Sequence, residues 1–161
     1  MRKELLMEEL KKVIFNVGIG EYGIDILHVS GIENPENVVY IPNAPSCIVG
    51  VMQLRGVVIP IFSLRRKFGV EDMPRIEDCS LIVTNVNGTQ VGLLVDCVNE
   101  IVEVPAENIH KAPKILKGND TAYIDTIADV SSRLVVLLKL EGIIGEEEVE
   151  IINELLEEDL I

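Results

Sequence analysis

The chain's 161 residues suffice for one ordinary domain or two very small barrels sharing a core, and a hydrophobic content of 48% excludes a disordered chain. A formal net charge of −13, from 27 acidic and 14 basic residues, sets the chain against nucleic-acid backbones and anionic lipid surfaces. Aromatic content of only 4%, with no Trp, leaves Val, Ile and Leu to build the core, which favours strands over aromatic-lined clefts.

In chain order, Met1–Leu10 reads as a short helix, because Leu6 and Leu10 stand one helical turn apart. The same stretch, MRKELLMEELKK, lacks the apolar block and small-residue cleavage site of a signal peptide. From Lys11 the pattern changes to short β-branched runs broken by Gly, Pro or Asn: VIFNV, YGIDI, VGVMQLR and VVIPIF. The polar segment RRKFGVEDMPRIED, with Gly69 and Pro74, is the best internal boundary. Beyond it come SLIVTNV, QVGLLVD, VNEIVEV, AYIDTIADV and LVVLLKL, similar in number and length to the strands before it. Asn87-Gly88 is the strongest short hairpin signal, and Ser131–Arg133 turns another pair. At the end, Val149, Ile152, Leu156 and Leu160 share one helical face, with Glu146–Glu148 in the first turn where the helix dipole favours negative charge. That stripe is expected to pack on the protein's own barrels. The EEEVEIINELLEED segment concentrates the acid, so the body is closer to neutral than the total. No apolar run approaches the roughly 18 residues of a membrane span. Cys47, Cys79 and Cys97 are odd in number and lack C-x-x-C spacing, as reduced thiols of a cytoplasmic protein would.

Gly18, Gly20 and Gly23 have the G-x-G-x-x-G spacing of a phosphate-cradling loop. Such a loop must end a strand and open a helix, whereas Tyr22, Ile24 and Ile26 alternate as a strand does. No acid lies between Asn37 and Cys47, where a ribose ligand is needed. Gly18 and Gly20 therefore read as hairpin-turn residues, and no cofactor is expected. His28 and His110 are isolated from further metal-ligand residues. Asp25, Asp96 and Asp125 invite comparison with paired-aspartate hydrolases, but none sits in the Asp-Thr/Ser-Gly signature that chemistry uses. A small two-barrel hydrolase using Asp25 or Asp96 stays open as the rival reading. Arg65, Arg66 and Lys67 form the densest basic patch, either a solvated helix face or a contact for an acidic partner. Arg55, followed at once by Gly56, lies in a tight turn between apolar strands, where a charge is either paired within the chain or placed at an interface.

The segments EYGIDILHV, IPNAPSCIVGVMQLRGVVIPIFSLRRKFG and VGLLVDCVNEIVEV, in this order and spacing, resemble the CheW family of chemotaxis coupling proteins from about Lys11 to Gly145. The resemblance implies a mainly all-β fold of two small five-stranded SH3-like barrels packed together, with short helices and an acidic C-terminal helix over 146–161. It places a first barrel at roughly 11–68 and a second at roughly 78–140 within one domain, 11–145. It implies a non-catalytic adaptor that joins the cytoplasmic tips of chemoreceptors to the regulatory domain of the histidine kinase CheA. Such a protein is cytoplasmic, recruited to receptor arrays, and neither inserts into membrane nor binds nucleic acid. An adaptor in another receptor–kinase pathway is the alternative of the same class. Carried over by position, the contact residues are Val29, Gly50, Gln53, Leu54, Arg55, Gly56 and Gly92. Departures from the family pattern are Gln53 before Leu-Arg-Gly, Ser63 in place of an acid, and Gly31 where many members carry a glutamate able to pair the arginine. Arg55 is therefore expected to find Glu33, Asp25 or a partner's carboxylate.

Overall fold

The computed structural model describes residues 11–44, 47–113 and 123–159. Strands β1 (Lys11–Val17) and β2 (Gly20–Asp25) form a hairpin turned at Gly18, whose φ of +61° suits glycine. Then follow β3 (Val29–Glu33), β4 (Val39–Tyr40), β5 (Ile48–Leu54), β6 (Val57–Ser63) and a single-turn helix α1 (Leu64–Lys67). After the polar boundary come β7 (Ser80–Val86), β8 (Thr89–Val95), β9 (Cys97–Glu103), β10 (Ile109–Lys111), β11 (Ile124–Val130) and β12 (Arg133–Leu138). Helices α2 (Leu140–Ile143) and α3 (Glu146–Asp159) close the described chain. The helix expected at Met1–Leu10 lies outside the described residues. The turns expected at Asn87-Gly88 and at Ser131–Arg133 are present, with Asn87, Gly88, Ser131 and Ser132 all at positive φ.

The strands form two six-stranded sheets, ordered β10-β11-β12-β2-β1-β9 and β3-β7-β8-β6-β5-β4. Each is a five-strand set with one further edge strand of two or three residues, β4 or β10. The expected division into a barrel at roughly 11–68 and another at roughly 78–140 is corrected by this pairing. The leading hairpin of each half joins the other half's sheet. It does so through a parallel contact: β2 beside β12 with Leu137 opposite Gly23, and β8 beside β6 with Ile61 opposite Gly92. Local alternation dictates strands and turns, while the pairing of β2 and β8 with distant strands depends on tertiary burial that no local pattern encodes.

The two halves thereby match element by element in strand order and pairing. Hairpin β1–β2 closes on Val17 opposite Gly20, and β7–β8 on Val86 opposite Thr89. The β1–β9 and β3–β7 ladders each carry one bulged residue, Asn99 and Ser30; the β11–β12 and β5–β6 ladders likewise bulge at Asp125 and Val49. Even the supporting backbone bonds match, Ser63 N donating to Cys47 O and Lys139 N to Tyr123 O, both at 2.8 Å.

Three apolar clusters follow from this layout. One fills the second sheet's concave side with Met52, Ile59, Ile61, Leu81 and Val83; a smaller one fills the first with Ile14, Ala128, Val130, Val135 and Leu137. The largest lies between the sheets and contains Val13, Phe15, Ile24, Phe62, Ile82, Leu93 and Ile143. Strand β1 therefore buries both faces, Val13 and Phe15 toward the shared core and Ile14 into its own barrel. An aromatic row crosses the junction, Tyr22 lying 4.9 Å from Phe68 and Phe68 5.2 Å from Tyr123 between ring centroids. As expected for α3, Ile152 is buried in the shared core with Val149 against it, and Glu148 meets Lys67 at 3.0 Å. The expectation for Leu160 falls outside the described residues.

Candidate functional site

The β5–β6 hairpin turns on Arg55 and Gly56, with φ of +51° and +82°. Both residues of such a turn need left-handed backbone, which Asn, Asp or Gly adopt at least cost. Arginine there carries a steric penalty of about 1 kcal/mol, so turn chemistry alone does not select it. Its side chain is 78% exposed, and Nη2 donates to Glu33 Oε1 at 3.1 Å across the end of the sheet. Of the three partners expected for Arg55, the chain supplies Glu33. Asp25 is engaged elsewhere, its Oδ1 accepting from Leu27 N at 3.4 Å and its Oδ2 lying 3.6 Å from Lys12.

Beside this pair Val57 is 50% exposed and Leu54 half-buried, and both line the same pocket as Arg55 and Glu33. An exposed guanidinium beside a half-exposed aliphatic side chain is the kind of composition found on protein-docking faces. Gln53 points to a neighbouring groove beside Val39 and Val51. Leu54 and Arg55 thus line one pocket with Gly56 in the turn between the strands, whereas Gln53 lines a different groove. Val29 stands at the start of β3, half-buried against the shared core. Gly50 and Gly92 are buried, not surface contacts. A β-carbon on Gly50 would overlap the Val39 carbonyl oxygen, and one on Gly92 would lie 2.9 Å from the Leu81 side chain. Their role in this structure is to let β4 and Leu81 pack closely.

The basic run on α1 is committed to intramolecular pairs, correcting its reading as a solvated face or an open contact. Arg65 Nε and Nη2 donate to Asp96 Oδ1 and Oδ2 at 2.7 and 2.8 Å, and Asp96 Oδ2 also accepts from Gly18 N at 2.8 Å. These hydrogen bonds raise the Arg65 pKa further. Arg66 pairs with Asp72 at 3.0 Å and Lys67 with Glu148. Ser63, standing where the family pattern has an acid, caps α1 by accepting from Arg66 N at 3.2 Å.

The aspartates proposed for the hydrolase reading are not brought together. Asp96 sits at the Asn16–Gly18 end of the β1–β2 hairpin and Asp25 at the Lys12 end. Asp25 does share a groove with Asp125, but each faces its own lysine at 3.6 Å, Lys12 and Lys139, so neither is poised to share a proton. Among the described residues no cluster of three His, Cys, Asp or Glu side chains could hold a metal ion. Burial pushes the Cys79 thiol up to about 11, away from nucleophilic use. Among the described residues no helix is long and apolar enough to cross a membrane.

Two six-stranded sheets sharing one core, with an exposed arginine at a hairpin turn, define the class of fold. The CheW-like domain family model matches residues 11–148, and the chain belongs to the CheW family. It is 36% identical over 141 residues to the chemotaxis protein CheW of Klebsiella aerogenes, covering 88% of this chain and 85% of that protein. It is 31% identical over 140 residues to the chemotaxis protein CheW of Helicobacter pylori, covering 87% and 84%. Its fold is similar to the crystal structure of the scaffolding protein TtCheW from Thermoanaerobacter tengcongensis, with a TM-score of 0.74, 27% identity, and coverage of 87% and 90%.

Proposed function

We propose that this chain is a non-catalytic chemotaxis adaptor that couples the cytoplasmic tips of chemoreceptors to the regulatory domain of the histidine kinase CheA. The observation that carries the reading is Arg55: a charged side chain held outward on a left-handed turn, beside half-exposed Val57, in a chain of the CheW family. Gln53, Leu54 and Gly56 set the shape of that turn, and Val29 supports the adjoining strand. Gly50 and Gly92 act through packing, against β4 and Leu81 respectively.

The mechanism is positional. Small interfaces, apolar at the centre with a charged rim, are individually weak and gain persistence by repetition in an array. A change of about 1.4 kcal/mol at one contact shifts the coupled equilibrium about tenfold. The protein works in the cytoplasm and reaches membranes only through its partners. Co-sedimentation tests the proposal: receptor-containing membranes should retain CheA in amounts that rise with added adaptor. Retention of CheA unaffected by the adaptor contradicts it. A pull-down dominated by a different receptor–kinase pair would move the same mechanism to another pathway.

A further inference from the structure

The β7–β8 hairpin turns on Asn87-Gly88, at φ of +50° and +87°, between the paired Val86 and Thr89. Asn-Gly suits such a turn, but the same pair is chemically labile. With no β-carbon on Gly88 to obstruct it, the Gly88 backbone nitrogen can reach the Asn87 side-chain amide carbon and close a five-membered ring. No other asparagine in the chain is followed by glycine. The closed turn opposes this reaction in two ways. Left-handed backbone at Asn87 brings a ψ of about +30° to +60°, at which the Gly88 nitrogen points away from the Asn87 side chain. That nitrogen is also occupied, donating to Asn85 Oδ1 at 2.9 Å. Asn16 holds the place of Asn85 in the β1–β2 hairpin, but its Oδ1 accepts from Asn99 Nδ2 and its turn is Gly18-Ile19, with no side-chain amide to guard.

We propose that Asn87 is a self-modification site, an Asn-Gly linkage that deamidates when the turn opens and that Asn85 holds unreactive while it is closed. The Gly88 nitrogen bonds to Asn87 Cγ, the Cγ–Nδ2 bond breaks, and Nδ2 leaves as ammonia with the proton given up by Gly88. Water then adds to either carbonyl of the cyclic imide and opens it, leaving aspartate or isoaspartate at position 87. Water is the only co-reactant, and no atom changes oxidation state. The products alter the hairpin. Both add a carboxylate close to Thr89, whose Oγ1 donates to Asn153 Oδ1 of the acidic helix α3 at 3.1 Å. Isoaspartate also lengthens the main chain by one methylene within a tight turn, next to Val86, which is buried in the shared core.

The test incubates the full chain at neutral pH, folded and in guanidinium chloride. Isoaspartate is followed by isoaspartyl methyltransferase labelling, and fragment mass spectrometry locates the amide-to-acid change. Both signals should fall at position 87. Formation in the folded chain should be at least about tenfold slower than in denaturant, because the reaction draws on the opened turn. Asn85→Ala removes the acceptor at an exposed position. It should speed the folded-state reaction about fivefold, leave the rate in denaturant unchanged and keep the wild-type circular dichroism. Asn85→Asp retains an acceptor oxygen and should react no faster than the wild type. Asn87→Gly, which the left-handed turn accepts, should abolish the label. Equal rates in the folded and denatured chains, an Asn85→Ala variant as slow as the wild type, or labelling that survives Asn87→Gly would each overturn the proposal.

Discussion

Asp96 grips Arg65 through both carboxylate oxygens, at 2.7 and 2.8 Å, while also accepting from Gly18 N. One carboxylate thus ties helix α1 to the β8–β9 link and to the β1–β2 turn of the other sheet. The side chains are only 19% and 14% exposed, so the pair is shielded enough to contribute to stability. Asp96→Asn keeps the shape but loses the charge, and should cost about 2 kcal/mol. Urea denaturation checks this; an unchanged midpoint would mean the clamp contributes nothing.

Gly50→Ala should be more damaging than its size suggests. The added β-carbon meets the Val39 carbonyl, which is backbone and cannot swing away. Relief requires β4 to lift from β5, where Val39 opposes Val51 and Tyr40 opposes Gly50. The expected loss is about 2 kcal/mol, with amide exchange accelerated at Val39–Val51 contacts and unchanged in β11–β12. Uniform acceleration throughout the chain would contradict a local effect.

Helix α3 is expected to be integral to the fold. Eight carboxylates and no basic residue in its 14 positions make it a poor helix in isolation. It is held by Ile152, which is 1% exposed in the shared core. Ile152→Ala should therefore cost about 3 kcal/mol and reduce helical ellipticity before the sheets unfold. A variant as stable as the wild type would mean that α3 docks by other contacts.

Cys79 gives a pH dependence with a definite sign. Burial raises its folded pKa to about 11 from an ordinary 9.0, so the folded state keeps a proton that the unfolded state releases. The contribution is fully present below pH 9.0 and is lost as pH rises through about 11. Burial raises Tyr22 as well, adding a loss of the same sign at higher pH. Stability should decline over this alkaline range, and Cys79→Ala should flatten the part belonging to the thiol. Thiol labelling near neutral pH should modify exposed Cys97 well before buried Cys79. Equal labelling rates would contradict the burial.

The turns were the most legible part of the sequence. Asn87-Gly88 announces a hairpin because Asn and Gly tolerate left-handed backbone, and Ser131–Arg133 and Arg55-Gly56 read as turns from the apolar runs on either side. The strands were legible from β-branched alternation, and the family resemblance located Arg55. The exchange of hairpins between halves was not, because β2 and β8 read alike and nothing local says which distant strand each will join. The commitment of Arg65 to Asp96 was hidden for the same reason: the two lie in different elements that only the closed second sheet and its α1 cap bring together. Glu33 as the partner of Arg55 could be narrowed to a short set but not chosen, since the choice depends on which strand end faces the turn. The matching of the Ser30 and Asn99 bulges has no sequence signal, for the halves share ladder geometry far more than residues.

The most direct test of the central claim is Arg55→Glu in the co-sedimentation of adaptor and CheA with receptor-containing membranes. Arg55 is exposed and makes one hydrogen bond, so the variant should keep its circular dichroism and its stability within about 0.5 kcal/mol. It should nevertheless fall out of the sedimented complex and no longer support receptor-dependent retention of the kinase. A folded Arg55→Glu protein that sediments and couples like the wild type would show that partners dock elsewhere on the molecule.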